Sequence, residues 1–126
     1  MSTSNVPAGP YKLVTVNTAP ERAYRLVGRL IEALKDSYTI IHAANCETIE
    51  TVASTVQEIE PDILFCASMW TSEQAVEIQT IAKSIKPGIL TYAIPHGLQV
   101  QNGPDAIVEH LTSTVPGLLK EHFQTS

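Results

Sequence analysis

A chain of 126 residues, 44% hydrophobic and 17% charged, has the size and balance of one ordinary globular domain, which excludes a disordered segment. Its formal net charge of −5 argues against nucleic acid as a partner, because neutralising a phosphate backbone takes an excess of Lys and Arg. The sequence has no apolar run near the roughly 18 residues that span a bilayer, so a soluble protein without a membrane partner is expected.

Residues 1–11 read as a flexible tail rich in Ser, Pro and Gly, without the basic and apolar regions of a signal peptide. Lys12–Val16 (KLVTV) is a short β-branched run that predicts a first strand. Thr18-Ala-Pro-Glu21 then has the form of a capping box with proline in the first turn. Ala23, Leu26, Val27, Leu30, Ile31 and Leu34 follow at helical spacing and make one buried stripe.

Tyr38–Ala43 (YTIIHA) predicts the second strand, and Asn45 is placed to cap a helix carrying Ile49, Val52, Ala53, Val56 and Ile59. Pro61-Asp62 stops that helix and opens the third strand, Ile63–Ala67. Thr71-Ser-Glu-Gln74 is a second capping box, ahead of Ala75, Ile78, Ile81, Ala82 and Ile85. Ile89–Ile94 is the fourth strand, and Leu98–Gln101 has the composition of a short fifth one. Asn102-Gly-Pro-Asp105 caps a last helix with Ile107, Val108, Leu111 and Val115 inward, which Pro116-Gly117 kinks or interrupts before Leu118–Phe123.

Strands alternating with helices imply βαβ units. The expected fold is therefore a three-layer, flavodoxin-like α/β domain over residues 12–126, with a parallel sheet of four or five strands and helices on both faces. Cys46 and Cys66 have no CxxC spacing, so neither a disulfide framework nor a zinc site is indicated and a reducing, cytoplasmic location fits.

In such a sheet, ligands bind beyond the carboxyl ends of the strands. That rim is predicted to carry Asn17-Thr18, Asn45-Cys46, Ser68-Met69-Trp70-Thr71 and Pro95-His96-Gly97. The candidate ligand-binding residues are accordingly Asn17, Thr18, Asn45, Ser68, Trp70, Thr71, His96 and Gly97. The rim has donors and acceptors but neither a carboxylate pair, a Gly-rich phosphate loop nor a catalytic triad, so no catalytic residue and no metal ligand set is assigned.

His96 can serve as a general base, a proton switch or an axial metal ligand, or can simply hold its own turn. Cys66 lies in an apolar strand and reads as core, whereas Cys46 sits where a helix N-terminus would lower a thiol pKa. Trp70, the single tryptophan, either anchors a partner or ligand or covers the end of the core.

The run Val16-Asn-Thr-Ala-Pro-Glu21, the helix after it, His42-Ala-Ala-Asn45 and Pro61-Asp-Ile-Leu-Phe-Cys-Ala67 resemble the first half of response-regulator receiver domains, from Lys12 to about Trp70. Met69 sits where that family often has methionine. Asn17 and Thr18 replace the acidic pair that the family uses for magnesium. Ala67 or Ser68 stands at its phosphate-accepting aspartate, Gln101 lies near its lysine, and the segment from Ile94 to Leu98 is too short for its fourth helix. The resemblance implies a degenerate receiver-like module that is not phosphorylated and acts by binding another protein through Met69 and Trp70. A missing helix would leave the sheet partly uncovered, so a homodimer is also expected.

The later half, Pro61–Thr71 and Lys86–Gly97, is similar instead to cobalamin-binding domains. That similarity implies a small-molecule or cofactor-binding domain in which Ser68 and Thr71 line the pocket for the lower base and Pro95-His96-Gly97 replaces a glycine-rich turn. The DxHxxG motif of that family is absent after the first strand.

Overall fold

Four apolar runs, each too short for a helix and rich in Val, Ile and Leu, alternate with segments of helical periodicity, and the chain folds accordingly. The computed structural model describes residues 8–124, the side chains of 99–102 and 124 excepted. The order is β1 (Ala8–Val16), α1 (Pro20–Leu34), β2 (Tyr38–Cys46), a 3-10 turn (Ile49–Thr51) leading into α2 (Val52–Ile59), β3 (Ile63–Cys66), α3 (Ser72–Ile85), β4 (Leu90–Ala93) and α4 (Leu98–Leu119). A π-helical turn, Lys120–Gln124, follows α4.

All pairings are parallel and the strand order is β2-β1-β3-β4. Leu13–Val16 of β1 pair residue for residue with Ile63–Cys66 of β3, which pair in turn with Leu90–Ala93 of β4. Side chains alternate across this sheet. Leu13, Ile40, Ile63, Phe65 and Leu90 meet α1 through Leu26, Val27, Leu30 and Leu34, and α4 through Ile107, Leu111 and Val115. On the other face Val14, Val16, Leu64 and Cys66 meet Val52 and Val56 of α2 and Ala75, Ile78 and Ala82 of α3. Each fully buried Leu or Ile contributes about 1.5–3 kcal/mol. The result is the expected flavodoxin-like three-layer fold.

Several local expectations are corrected. β1 begins at Ala8 and not at Lys12; residues 1–7 of the expected tail lie outside the described residues. Pro10 is accommodated because β1 pairs with β3 only over Leu13–Val16, so the proline's missing N–H faces no strand on that side. Gly9 makes the early pairing feasible: at φ 118°, a Cβ there would sit 2.5 Å from the Thr39 carbonyl of β2.

The fifth strand does not form, and Leu98–Gln101 opens α4. Four residues separate β4 from Leu98, whereas a parallel neighbour needs a crossover of roughly ten or more. Gly97, at φ 82°, turns the chain straight into the helix. Gly103 (φ 83°) breaks α4 just before Pro104. The side chains of Gln101 and Asn102 lie outside the described residues, so the proposed Asn102 cap does too. Pro116-Gly117 does not interrupt α4, whose only non-helical residue is Gly103. Each sheet face carries two helices, and the edge strands of the sheet are β2 and β4. No helix among the described residues is long and apolar enough to cross a membrane.

Candidate functional site

The strand order fixes where a crevice must open. From β1 the chain passes to β2 on one side, and β3 then lies on the other, so the connections leaving β1 and β3 diverge to opposite faces of the sheet. At their carboxyl ends lies a crevice of about 610 Å³, within the range of small-molecule sites. Asn17 follows β1, Ala67, Ser68 and Met69 follow β3, and Ile94, His96 and Gly97 follow β4. Helix α1 adds Arg22 and Leu26, and α4 adds Ile107.

Asn17 is 5% exposed and Ser68 9% exposed. The Asn17 Oδ1 accepts from the Ala19 amide at 2.7 Å, and the residue borders the crevice. Ser68 accepts from the Gly97 amide through its backbone carbonyl at 2.9 Å, which ties the β4 loop to the β3 loop. Its hydroxyl makes no hydrogen bond among the described residues and borders the crevice.

His96 Nδ1 lies 2.9 Å from the Trp70 carbonyl. A carbonyl only accepts, so Nδ1 carries a proton and the neutral ring keeps Nε2 as a free-standing acceptor. No side chain bordering this crevice is a carboxylate. Among the described residues no three His, Cys, Asp or Glu side chains gather as a metal site would require.

Of the residues expected to bind a ligand, Asn17, Ser68, His96 and Gly97 border the crevice, and so does Met69. Thr18, Asn45, Trp70 and Thr71 do not, and each has another task. The Thr18 amide and hydroxyl donate to Met69 Sδ at 3.3 and 2.9 Å. Thr18 is therefore not the cap of α1; the residue preceding that helix is Ala19, without a side-chain cap.

Asn45 is not a helix cap either, because β2 continues through it to Cys46. Its Nδ2 donates to the Asn17 carbonyl at 3.0 Å and its Oδ1 accepts from Thr15 Oγ1 at 2.6 Å. Having given its one proton to Asn45, the Thr15 hydroxyl accepts from His42 Nε2 at 2.9 Å. This chain ties β2 to the end of β1 and fixes the Asn17 backbone. The other ring nitrogen of His42 is buried without a partner. Burial drives the His42 pKa down to about 4, a shift the Ala44 carbonyl only partly opposes.

Trp70 is partly buried against the α2–α3 core, and its Nε1 donates to the Val16 carbonyl at 2.8 Å. It seals the end of β1. Thr71 is the cap of α3 and completes the expected box: its Oγ1 accepts from the Gln74 amide at 3.1 Å and its amide donates to Gln74 Oε1 at 3.0 Å. Ser68 and Thr71 therefore do not form the shared pocket that the cobalamin similarity implies.

Both cysteines are buried. Burial pushes the Cys66 thiol up to about 12, and Cys46 is placed in β2 and not at a helix start, its thiol 3.9 Å from the Thr51 carbonyl. His110 on α4 pairs with the Tyr92 hydroxyl.

Sequence reasoning missed Arg22 and the apolar wall of Leu26, Ile94 and Ile107. A signal for Arg22 exists: it stands in the first turn of α1, where the helix dipole disfavours a cation. The chain matches no family model and no curated protein.

Proposed function

We propose that this chain is a small-molecule-binding domain that uses the crevice between the carboxyl ends of β1 and β3. The observation that carries this reading is the placement of two polar residues, Asn17 and Ser68, each at least nine-tenths buried, in the lining of an otherwise largely apolar crevice. An amide and a hydroxyl at this position can exchange hydrogen bonds with a ligand seated beside them. The apolar wall of Leu26, Ile94 and Ile107 adds surface for the rest of the molecule.

The other reading, a degenerate receiver-like module that is not phosphorylated and acts by protein contact, has less support. The absence of a carboxylate around the crevice agrees with a non-phosphorylated site. Its expected anchors are engaged within the fold, however: Met69 with Thr18, and Trp70 with the Val16 carbonyl.

The test is a screen of small polar compounds by amide chemical-shift mapping, with Ala67→Leu as a variant that fills the crevice. The expected result is saturable shifts confined to Asn17, Ser68, Met69 and Gly97, lost in Ala67→Leu at unchanged melting temperature. Shifts that are absent there for every compound, or that survive in Ala67→Leu, contradict the proposal.

A further inference from the structure

We infer that β2 is an interaction edge for a second copy of this chain: two β2 strands pair antiparallel about a two-fold axis near Ile40, joining two four-stranded sheets into one. This inference is independent of what the crevice binds.

The two edges of the sheet differ. β4 is four residues long and is bounded by Pro87-Gly88 and Pro95, which is one way a protein keeps an edge from pairing. β2 runs for nine residues, Tyr38–Cys46, and has no proline and no Asp, Glu, Lys or Arg. Among the described residues no strand lies beyond it. An edge of this length without a charge has no electrostatic guard against another strand.

The backbone shows which groups are on offer. The Ser37 carbonyl accepts from the Ala8 amide of β1 at 3.0 Å, and the Thr39 carbonyl is turned to Gly9 of the same strand. Backbone groups of alternate residues point to the same side of a strand, so those of Tyr38, Ile40 and His42 point away from β1. With Ile40 on the axis, it faces Ile40 of the other copy, and Tyr38 faces His42 of the other copy. Each such pair exchanges two N–H···O bonds. The bulge at Ala43, where β2 has one residue more than β1, ends the regular stretch.

The side chains around this edge favour a copy of the same chain as the occupant. In a two-fold pairing each residue meets itself or a near neighbour, so any charge on the strand would face its own like charge. β2 has none to repel. On the α2 face of the sheet, Thr39 is exposed and Ile41 is 48% exposed. In the pair, Ile41 of one copy lies against Thr39 of the other, a β-branched cross-strand contact made twice.

On the opposite face, Tyr24 of α1 is 50% exposed and stacks on His42 with ring centroids 4.4 Å apart. Gly28 and Ile31 follow Tyr24 at helical spacing on the same side of α1. A side chain at Gly28 would touch nothing within 4 Å, so this stripe is open to a neighbouring helix. Lys35, at its far end, is neutralised by Glu32 at 2.6 Å. The stripe extends the paired strands toward the roughly 800 Å² per partner of an ordinary interface.

The experiment is sedimentation velocity of the intact chain between about 5 and about 500 μM, with amide hydrogen exchange followed at both ends of that range. The expected result is a monomer–dimer equilibrium with a dissociation constant on the order of 20 μM. The outward amides of Ile40 and His42 should exchange about fivefold more slowly at the higher concentration, while that of Ile41, turned to β1, should not change. Ile41→Lys should weaken the dimer at least about tenfold at unchanged melting temperature. Val76→Lys, at a 62% exposed position on α3, should leave it unchanged.

A chain that stays monomeric at about 500 μM overturns the inference. So does a dimer in which Ile40 and His42 exchange at the same rate at both concentrations, because another face then makes the contact. Species larger than the dimer also overturn it, since a two-fold pairing uses up the edge. The exchange measurement needs only the unaltered chain and decides the matter even if Ile41→Lys folds poorly.

Discussion

Acid should weaken this fold through one imidazole. His42 titrates at about 4 in the folded chain, against an ordinary value of 6.5, because it is buried beneath α1 with one ring nitrogen unpartnered. Its ring lies 4.4 Å from that of Tyr24, and its Nε2 is committed to Thr15. The unfolded chain, with His42 in water, therefore takes up a proton that the folded chain resists. Above 6.5 neither state is protonated and the histidine confers no pH dependence. Between 6.5 and about 4 the unfolded state binds more protons, so stability is lost as pH falls; below about 4 both states are protonated and the loss levels off.

A shift of this size corresponds to about 3 kcal/mol in full, and to roughly 2 kcal/mol at pH near 4.5 after allowing for the ring's partial exposure. Urea denaturation at neutral pH and near pH 4.5 measures it, with His42→Gln as the reference. Glutamine keeps an N–H for Thr15 and cannot titrate, while carboxylates elsewhere protonate equally in both proteins. Wild type should lose about 2 kcal/mol more than His42→Gln over that interval. Parallel pH profiles for the two proteins would refute the reasoning.

The remaining expectations concern residues to which the structure gives a packing or capping task. Trp70→Ala should lower unfolding free energy by about 2–4 kcal/mol in guanidinium titrations, since it removes both a packed ring and the donor to the Val16 carbonyl; a change below about 0.5 kcal/mol would instead mark Trp70 as a surface anchor. Thr71→Ala should lose about 1 kcal/mol with the capping box, and Thr18→Ala clearly less, because Thr18 caps nothing. The Cys66 thiol, raised to about 12 and buried, should resist iodoacetamide at neutral pH in the native protein and react once urea unfolds it, as read by mass spectrometry.

The fold was legible because its signals are local. Helix α3 announces itself through Thr71 and Gln74, three residues apart, and the two cores follow from the spacing of apolar residues on α1 and α3. What misled the reading was non-local. Asn45 looks like a helix cap until β2 is seen to continue through it, and its partners Thr15 and Asn17 lie 30 and 28 residues away in sequence. Thr18-Ala-Pro-Glu21 has the form of a capping box, but Met69, 51 residues on, takes the Thr18 hydroxyl. Leu98–Gln101 has strand composition, and only the distance to β4 forbids it a place in the sheet.

The site was half legible for the same reason. Asn17, Ser68, His96 and Gly97 follow from knowing where strands end. Arg22, Leu26 and Ile107 belong to the helices α1 and α4 that close the crevice from above. Their presence depends on how those helices pack. Among these residues, Arg22 alone left a trace in the sequence, as a cation at the wrong end of a helix.

The most direct measurement is a crystal structure of the chain soaked with a set of small polar compounds. Density for one of them in the β1–β3 crevice, in contact with Asn17 or Ser68, is the predicted result. Density only at other surfaces, with the crevice filled by ordinary solvent, would contradict the account.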